Sequence, residues 1–210
     1  MMKKNNAAAC YLFGAGETRE LIWMPGEKDY VIAVDGGYET ACAKNISVDL
    51  VIGDFDSLEM TPVHENIITL ETAKDDTDML AALREGLALG HQTFYLYGGM
   101  GGRIDHTLAN IQCLAFLAAQ NARGYLIGED YILTVFTNDS VFFSAEEKGN
   151  ISVFCYGEKA EGVFIKGLAY TLEGATLENT FPIGVSNAFI GQKSVVGVED
   201  GTLLVAWQYK

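Results

Sequence analysis

Short apolar runs alternate with helical patterns in the first part of the chain. Continuous apolar runs that end in Gly or Asp are typical of strands buried on both faces of a sheet. Such runs occur at residues 7–13, 30–34, 49–52, 66–70 and 93–97. Apolar residues also recur at helical spacing, at Leu80, Leu83 and Leu87 before a possible stop at Gly90, and then at Ile104, Leu108, Ile111, Ala115 and Ala118. This alternation predicts an α/β fold with an open, mostly parallel sheet and helices on both faces.

The pattern changes after about Arg123, where short β-rich runs replace the helices. These runs lie at 131–136, 140–143, 151–156, 162–165, 195–198 and 203–207. Gly, Asn and Asp residues lie between these runs, and short strands at this spacing are typical of an antiparallel sandwich or barrel. We therefore predict an α/β domain over residues 1–128 and an antiparallel β domain over 129–210, with a long loop at 174–187.

Composition and charge limit the possible partners. The 210 residues are 49% hydrophobic, which is enough to form a core in one large domain or two modest ones. The formal net charge of −14 argues against an electrostatic grip on nucleic acid or an anionic membrane. No apolar run is long enough to span a bilayer, and the four cysteines form no C-x-x-C pair. We therefore expect a soluble, cytoplasmic protein whose cysteines are free thiols.

Acidic side chains form two short clusters beside these core segments. Gly53-Asp54-Phe55-Asp56-Ser57 follows a predicted buried strand, and Lys74-Asp75-Asp76-Thr77-Asp78 precedes a predicted helix. In an open α/β sheet, ligands bind at the carboxyl ends of the strands. In extended backbone Asp54 and Asp56 point the same way, so their charges repel unless a cation lies between them. A divalent cation bound to a phosphate ester is the natural candidate, and a solvated Asp-rich turn is the simpler alternative.

The second cluster has a structural explanation and a functional one. Asp or Thr can cap a helix, and acidic residues in a first helical turn suit the helix dipole. That explanation leaves Lys74 available to reach a phosphate. Asp75 and Asp78 are three positions apart and could face one metal site together.

A glycine-rich loop, Gly98-Gly99-Met100-Gly101-Gly102-Arg103, joins a predicted strand to a helix. Its backbone N–H groups and the helix N-terminus can form an anion cradle, and Arg103 adds a planar guanidinium for phosphate oxygens. Asp35-Gly36-Gly37 ends the second strand in the same way. A tight strand-to-helix turn is a sufficient explanation of either loop alone. The helix that follows carries three further polar candidates, Asp105, His106 and Asn110.

Taken in order, these motifs resemble the thiamine pyrophosphokinase (thiamin diphosphokinase) family. The matching segments are Asp35-Gly36-Gly37, Gly53 to Ser57, Lys74 to Asp78, Gly101 to Asn110 and Gly184-Val185-Ser186-Asn187. The resemblance implies an α/β catalytic domain, a C-terminal β-sandwich and a homodimer with active sites made between subunits. It also implies transfer of the pyrophosphoryl group of ATP to the hydroxyethyl oxygen of thiamine, which gives thiamine diphosphate and AMP.

The resemblance further implies roles for individual residues. Mg²⁺ would be held by Asp54, Asp56 and Asp78. Lys74 and Arg103 would hold phosphates, and Asp75 would orient or deprotonate the attacking hydroxyl. The nucleotide would lie against Asp35, Gly36, Gly37, Thr77, Gly101, Gly102, Asp105, His106 and Asn110.

The second domain would supply the thiamine contacts. Ser186 and Asn187 would bind the pyrimidine, or else simply form a turn. Trp207 would stack on the cationic thiazolium ring, or else belong to the core.

Two other functions are compatible with parts of the pattern. A metal-dependent phosphohydrolase also uses acidic clusters at strand ends, but it does not explain Lys74, Arg103 and the extra β domain together. A non-catalytic thiamine- or nucleotide-binding protein would not need so many carboxylates. The expected partners are therefore thiamine and ATP, with Mg²⁺ as the cofactor.

Overall fold

A computed structural model describes residues 8–56, 62–71 and 75–210 of the chain. These residues form two compact units, the first ending at Glu129 and the second spanning Asp130–Lys210. Within the described ranges, no helix is both long enough and apolar enough to cross a membrane.

The first unit is built on a parallel sheet. Its strands lie in the order β6-β5-β1-β2-β3-β4, and each neighbouring pair is parallel. Because the strands are parallel, their carboxyl ends meet at one edge of the sheet. The elements are β1 (Cys10–Phe13), β2 (Tyr30–Val34), α1 (Gly37–Ala43), β3 (Leu50–Gly53), β4 (Ile67–Thr69), α2 (Asp78–Ala88), β5 (Thr93–Tyr97), α3 (Ile104–Ala119) and β6 (Arg123–Ile127).

Helices α2 and α3 cover one face of this sheet. Cys10, Phe94 and Gly124 are register neighbours on β1, β5 and β6, so they share that face. Gly86 of α2 lies against Cys10 and Phe94, and Leu117 of α3 lies against Gly124. Close packing of these helices on the strands therefore depends on small residues at both contacts.

Helix α1 covers the opposite face. Its residue Tyr38 packs against a buried cluster of Ala33, Val51 and Phe55. The predicted arrangement of a parallel sheet with helices on both faces is therefore confirmed.

The second unit consists of two antiparallel sheets, with strand orders β12-β9-β14-β7 and β11-β10-β13-β8. The two sheets face each other, since the ring of Phe143 in β8 lies 5.3 Å from the ring of Trp207 in β14. This is the predicted β-sandwich. The strands are β7 (Tyr131–Thr137), β8 (Ser140–Phe143), β9 (Asn150–Cys155), β10 (Lys159–Lys166), β11 (Leu172–Glu178), β12 (Asn187–Ala188), β13 (Ser194–Gly197) and β14 (Thr202–Gln208).

Most of the predicted elements are present. Strands β2, β5 and β8 have the predicted bounds, and α2 begins at Asp78 as expected. Gly90 follows the end of α2 with φ 90°, which suits a glycine stop. The sequence pattern does not predict α1 or β6, and β11 and β12 occupy parts of the segment predicted as a long loop.

The predicted helix α3 is present, but two of its five predicted apolar positions are exposed. Ile104 and Leu108 are exposed, at 71% and 58% of their surface. The buried residues of α3 are instead Asn110, Cys113, Leu114, Leu117 and Ala118. This face packs on β6 because Gly124 leaves room for it, as a Cβ there would lie 2.7 Å from Leu114. The rotation places a polar residue, Asn110, on the buried side of the helix.

Candidate active site

The ends of β2 and β3 bring two of the predicted acidic residues into neighbouring positions. Asp35 follows β2 with φ 50°, and Asp54 follows β3. Gly53 makes this approach possible, since a Cβ at Gly53 would lie 3.0 Å from the Cα of Asp35. The Asp35 N–H donates to the carbonyl oxygen of Ile52 at 2.9 Å. The backbone of one strand therefore anchors the acidic residue at the end of the other.

Asp56 lies within electrostatic range of three other carboxylates. Its N–H donates to Oδ1 of Asp54 at 3.3 Å. The pKa of Asp56 is raised, chiefly by the charge of Asp54, with further contributions from Asp35 and Asp78. One carboxylate oxygen of Asp35 and one of Asp78 are shielded from solvent. Asp54 and Asp78, two of the residues predicted to hold Mg²⁺, thus act electrostatically on the third, Asp56.

The donor chemistry of this group fits a hard divalent cation. Carboxylate oxygens are the ligands that Mg²⁺ prefers, and a dication relieves the repulsion that raises the pKa of Asp56. Over residues 8–56, 62–71 and 75–210, however, no three His, Cys, Asp or Glu side chains are grouped as metal ligands would be. The assignment of Asp54, Asp56 and Asp78 to Mg²⁺ stays a prediction.

The second acidic cluster opens α2. Thr77 is the N-cap, and its side chain accepts a hydrogen bond from the N–H of Leu80 at 3.2 Å. Asp78 occupies the first turn, where a negative charge suits the helix dipole. Asp75 is exposed just before the cap. The predicted phosphate ligand Lys74 lies outside the described residues, as does Ser57 of the first cluster.

Contacts with α2 and α3 hold this second cluster. Arg84 binds the carboxylate of Asp76, with 3.0 Å between Nε and Oδ2 and 3.5 Å between Nη2 and Oδ1. The Cζ of Arg84 lies 5.4 Å from the ring centroid of Phe116. Burial raises the pKa of the Cys113 thiol on α3 to about 11, and the nearby hydroxyl of Thr77 lowers it in part.

The glycine-rich loop before α3 offers open backbone at two predicted positions. Gly101 and Gly102 have φ 94° and 61°, conformations that favour glycine, and no atom lies within 4 Å of a Cβ built at either. Both residues are exposed. A ligand can therefore approach the main chain closely here.

The other side of this loop is attached to the protein interior. The Gly16 N–H donates to the carbonyl oxygen of Gly98 at 2.9 Å. Nδ2 of Asn110 donates to the carbonyl oxygen of Gly99 at 2.6 Å. Asn110 is buried and its amide nitrogen holds the loop, while the nucleotide contact expected of it stays a prediction.

Arg103 and Asp105 form an exposed ion pair at the start of α3. Nε of Arg103 lies 3.2 Å from Oδ1 of Asp105, and Nη2 lies 2.5 Å from Oδ2. Arg103 lowers the pKa of Asp105, chiefly through this hydrogen bonding, and Asp105 raises the pKa of Arg103. His106 is exposed beside them. Two nitrogens of the Arg103 guanidinium therefore already bind Asp105 in this structure.

Close packing explains one of the glycines after β2. A Cβ at Gly37 would lie 1.7 Å from the carbonyl oxygen of Phe13, so α1 could not begin here with a larger residue. Gly36 is the N-cap of α1. A nucleotide contact at either position stays a prediction.

Two of the three predicted thiamine contacts in the second unit are buried. Trp207 is only 2% exposed and lies edge-on against Phe143, as expected of the core residue that was its alternative interpretation. Asn187 is buried, and its side-chain amide makes two hydrogen bonds to the backbone of Tyr170. Oδ1 of Asn187 accepts from the Tyr170 N–H at 2.9 Å, and Nδ2 donates to the Tyr170 carbonyl oxygen at 2.7 Å. Ser186 has φ 61° and is exposed, so it is the accessible residue among the three predicted thiamine contacts.

Comparison with known families agrees with this arrangement. The model described as thiamin pyrophosphokinase, catalytic domain, matches residues 24–126. The model described as thiamin pyrophosphokinase, vitamin B1 binding domain, matches residues 140–203. Together they match well over half of the chain. The chain belongs to the thiamin pyrophosphokinase family. The resemblance seen in the motifs is confirmed.

Individual thiamin pyrophosphokinases are similar over most of their length. Thiamine pyrophosphokinase of Bacillus subtilis (strain 168) is 26% identical over 181 residues, which are 83% of this chain and 85% of that protein. A crystal structure of thiamine pyrophosphokinase from Bacillus subtilis has a TM-score of 0.86 at 24% identity, covering 96% of this chain and 99% of that one. A thiamin pyrophosphokinase family protein from Enterococcus faecalis has a TM-score of 0.78 at 25% identity, covering 97% and 99%.

Sequence reasoning about this thiamin pyrophosphokinase family member missed the residues that support the site. Asp76 and Arg84 are eight positions apart, so no short-range spacing rule pairs them. The contact between Gly16 and Gly98 joins loops from distant parts of the chain. Asn110 did carry a signal, because it shares helical spacing with the buried residues Cys113 and Leu117.

Proposed function

We propose that this protein transfers the pyrophosphoryl group of ATP to the hydroxyethyl oxygen of thiamine, giving thiamine diphosphate and AMP. The observation that carries this function is the succession of a thiamin pyrophosphokinase catalytic domain and a vitamin B1 binding domain along one chain. The carboxylates around Asp56 support it, because phosphoryl chemistry requires charge neutralisation by a metal. No observation favours a phosphohydrolase.

We assign Mg²⁺ to Asp54, Asp56 and Asp78. The support is the effect of Asp54 and Asp78 on Asp56, whose pKa their like charges raise, so that a dication is favourable there. When bound, Mg²⁺ neutralises both these carboxylates and the phosphate oxygens of ATP. An acidic protein can thereby bind a polyanionic substrate.

The side chains around this group then have distinct tasks. The triphosphate approaches the open backbone of Gly101 and Gly102, and Arg103 holds its oxygens. Lys74 supplies a second positive charge. Asp75 accepts the proton of the thiamine hydroxyl as that oxygen bonds to the β-phosphorus. The bond from the β-phosphorus to the oxygen of the α-phosphate breaks, and AMP leaves.

We assign residues 1–128 as the catalytic domain and 129–210 as the thiamine-binding domain. Ser186 is the proposed thiamine contact in the second domain, because its hydroxyl is exposed whereas Asn187 and Trp207 are buried. We further propose a homodimer with active sites made between subunits, on the basis of the family resemblance. A cytoplasmic location is supported by the free thiols of all four cysteines.

The test is product analysis with ATP, Mg²⁺ and thiamine. We expect AMP and thiamine diphosphate to form in equal amounts, with no AMP when thiamine is omitted. ADP as the nucleotide product would contradict the proposal. Phosphate release that does not depend on thiamine would indicate a phosphohydrolase instead.

A further inference from the structure

The segment Asp75–Asp78, here called the acidic loop, is held by a residue that the proposed reaction does not use. Asp76 lies between the proposed base Asp75 and the capping residue Thr77. Two nitrogen atoms of Arg84, on α2, bind its carboxylate at 3.0 and 3.5 Å. A guanidinium that binds both oxygens of a carboxylate fixes its orientation as well as its charge.

Arg84 also connects the acidic loop to α3. Its guanidinium carbon lies 5.4 Å from the ring centroid of Phe116, within the range of a cation–π contact. Thr77 of the acidic loop also lies near the buried Cys113 of α3, because its hydroxyl affects the pKa of that thiol. Since α3 begins directly after the glycine-rich loop, one helix supports both of the loops to which phosphate chemistry is assigned.

We propose that Arg84 is a positioning residue, which fixes Asp76 between α2 and α3 and thereby holds Asp75 and Asp78 in place. This inference rests on the proposed function, because it concerns the same site. The side chains of Arg84 and Asp76 are 55% and 37% exposed, and ion pairs as exposed as this one add little to stability. The role of the pair is therefore geometric. A lysine would keep the charge but lose the two-atom contact.

The affinity for Mg²⁺ separates positioning from a simple effect of charge. Arg84→Gln removes a positive charge, and Asp76→Asn removes a negative one. A pure charge effect would therefore raise Mg²⁺ affinity in the first variant and lower it in the second. Loss of the contact that positions the acidic loop would instead lower Mg²⁺ affinity in both variants. We expect each variant to bind Mg²⁺ about tenfold more weakly by calorimetry with a non-hydrolysable ATP analogue, as when other residues that orient metal ligands are replaced.

Turnover and folding give independent measurements. We expect kcat for AMP formation to fall about tenfold in both variants with KM for thiamine unchanged, and Arg84→Lys to recover part of the loss. The thermal midpoint should shift by less than about 4 °C. Lys159→Gln is the matched control, because it breaks the exposed pair of Lys159 and Glu161 on β10 and should leave both kcat and Mg²⁺ affinity at parental values.

The double variant completes the test. If Arg84 and Asp76 act as one unit, the double variant is no weaker than the weaker single variant. Opposite shifts of Mg²⁺ affinity, additive losses, or unchanged affinity in both single variants would overturn the inference. A parental protein that makes no AMP from ATP and thiamine would overturn the proposed function instead, and the Mg²⁺ titrations would still decide the role of Arg84. A parental protein that binds no Mg²⁺ with the analogue would overturn both.

Discussion

Asn110 donates a hydrogen bond of 2.6 Å to the carbonyl oxygen of Gly99. The amide is buried on α3, whereas Gly99 belongs to the loop that precedes this helix. The same loop is attached to α3 at Thr107, whose Oγ1 accepts from the N–H of Gly101 at 3.3 Å. Helix α3 therefore determines the shape of the loop whose open side faces solvent.

Replacing Asn110 should disturb the glycine-rich loop from the interior. Asn110→Ala removes the donor to the Gly99 carbonyl, and the loss of such a buried partner costs about 1–3 kcal/mol. We expect a lower free energy of unfolding in urea together with a higher KM for ATP. Gln112→Ala, at an exposed position of the same helix, is the control and should change neither. Parental stability and KM in Asn110→Ala would show that other contacts hold the loop.

Substitutions of the neighbours Asn187 and Ser186 should affect different properties, stability in the first case and thiamine binding in the second. The Asn187 amide makes two hydrogen bonds to the backbone of Tyr170, so Asn187→Ala should lower the free energy of unfolding by about 1–3 kcal/mol. Ser186→Ala removes an exposed hydroxyl, so stability should stay parental while KM for thiamine rises. Thermal unfolding and initial rates test both. A rise in KM for thiamine in a fully stable Asn187→Ala would restore the predicted substrate contact.

The raised pKa of Asp56 predicts how Mg²⁺ and pH act on stability. Like charges raise the pKa of Asp56 in the folded protein. The contribution of Asp56 to the free energy of unfolding is therefore greatest below its unfolded-state pKa, and it is lost as pH rises through its folded-state pKa. Without Mg²⁺ at pH 7, Asp56→Asn should therefore have a thermal midpoint at or above the parental one, and the difference should vanish in acid. Added Mg²⁺ should reverse the order. Glu65→Gln, which removes an exposed carboxylate elsewhere, is the control. An equal response of parent and Asp56→Asn to Mg²⁺ would remove Asp56 from the metal site.

Thiol reactivity should distinguish one cysteine from the other three. Cys42 is exposed, whereas Cys10, Cys113 and Cys155 are buried. Burial raises the pKa of Cys113 to about 11 and also raises those of Cys10 and Cys155, so their thiolates are scarce near neutral pH. We expect one fast reaction with an aromatic disulfide reagent in the native protein, absent in Cys42→Ser, and four after denaturation. Fast labelling of Cys113 in native Cys42→Ser would contradict the packing of α3 described above.

Local patterns are sufficient to predict most strands but not the orientation of α3. Strands β2 and β5 are continuous apolar runs, and their bounds follow from the sequence alone. Apolar positions lie on two sides of α3, one with Ile104 and Leu108 and the other with Cys113 and Leu117, so apolar spacing alone does not say which side is buried. Leu108 is exposed and Asn110 buried, because Gly124 of β6 and the Gly99 carbonyl determine which side of the helix fits. Tertiary contacts of this kind decide between faces that helical spacing leaves open.

The order of motifs predicts which loops carry the chemistry. It does not predict which side chains already contact other parts of the protein. Asp54 and Asp56 were predicted as a pair, and the structure places them within electrostatic range of each other. The side chains of Asn187 and Trp207 have the right chemistry to bind a ligand. In the fold, Asn187 hydrogen-bonds the backbone of Tyr170 and Trp207 packs in the core. A side chain that can bind a substrate can equally bind the protein itself, and only the three-dimensional structure distinguishes the two.

Gly37 should be required by packing, independently of any nucleotide. A Cβ at this position would lie 1.7 Å from the carbonyl oxygen of Phe13, so Gly37→Ala must push α1 away from β1. Backbone atoms cannot relax as a flexible side chain can, and we expect a loss of at least about 3 kcal/mol or insoluble protein. Gly26→Ala is the matched control, because the nearest atom would be Oδ2 of Asp29 at 3.6 Å and the stability should be nearly parental. Urea unfolding of both variants measures the difference. A soluble Gly37→Ala with parental stability and a raised KM for ATP would instead show that the glycine serves the nucleotide.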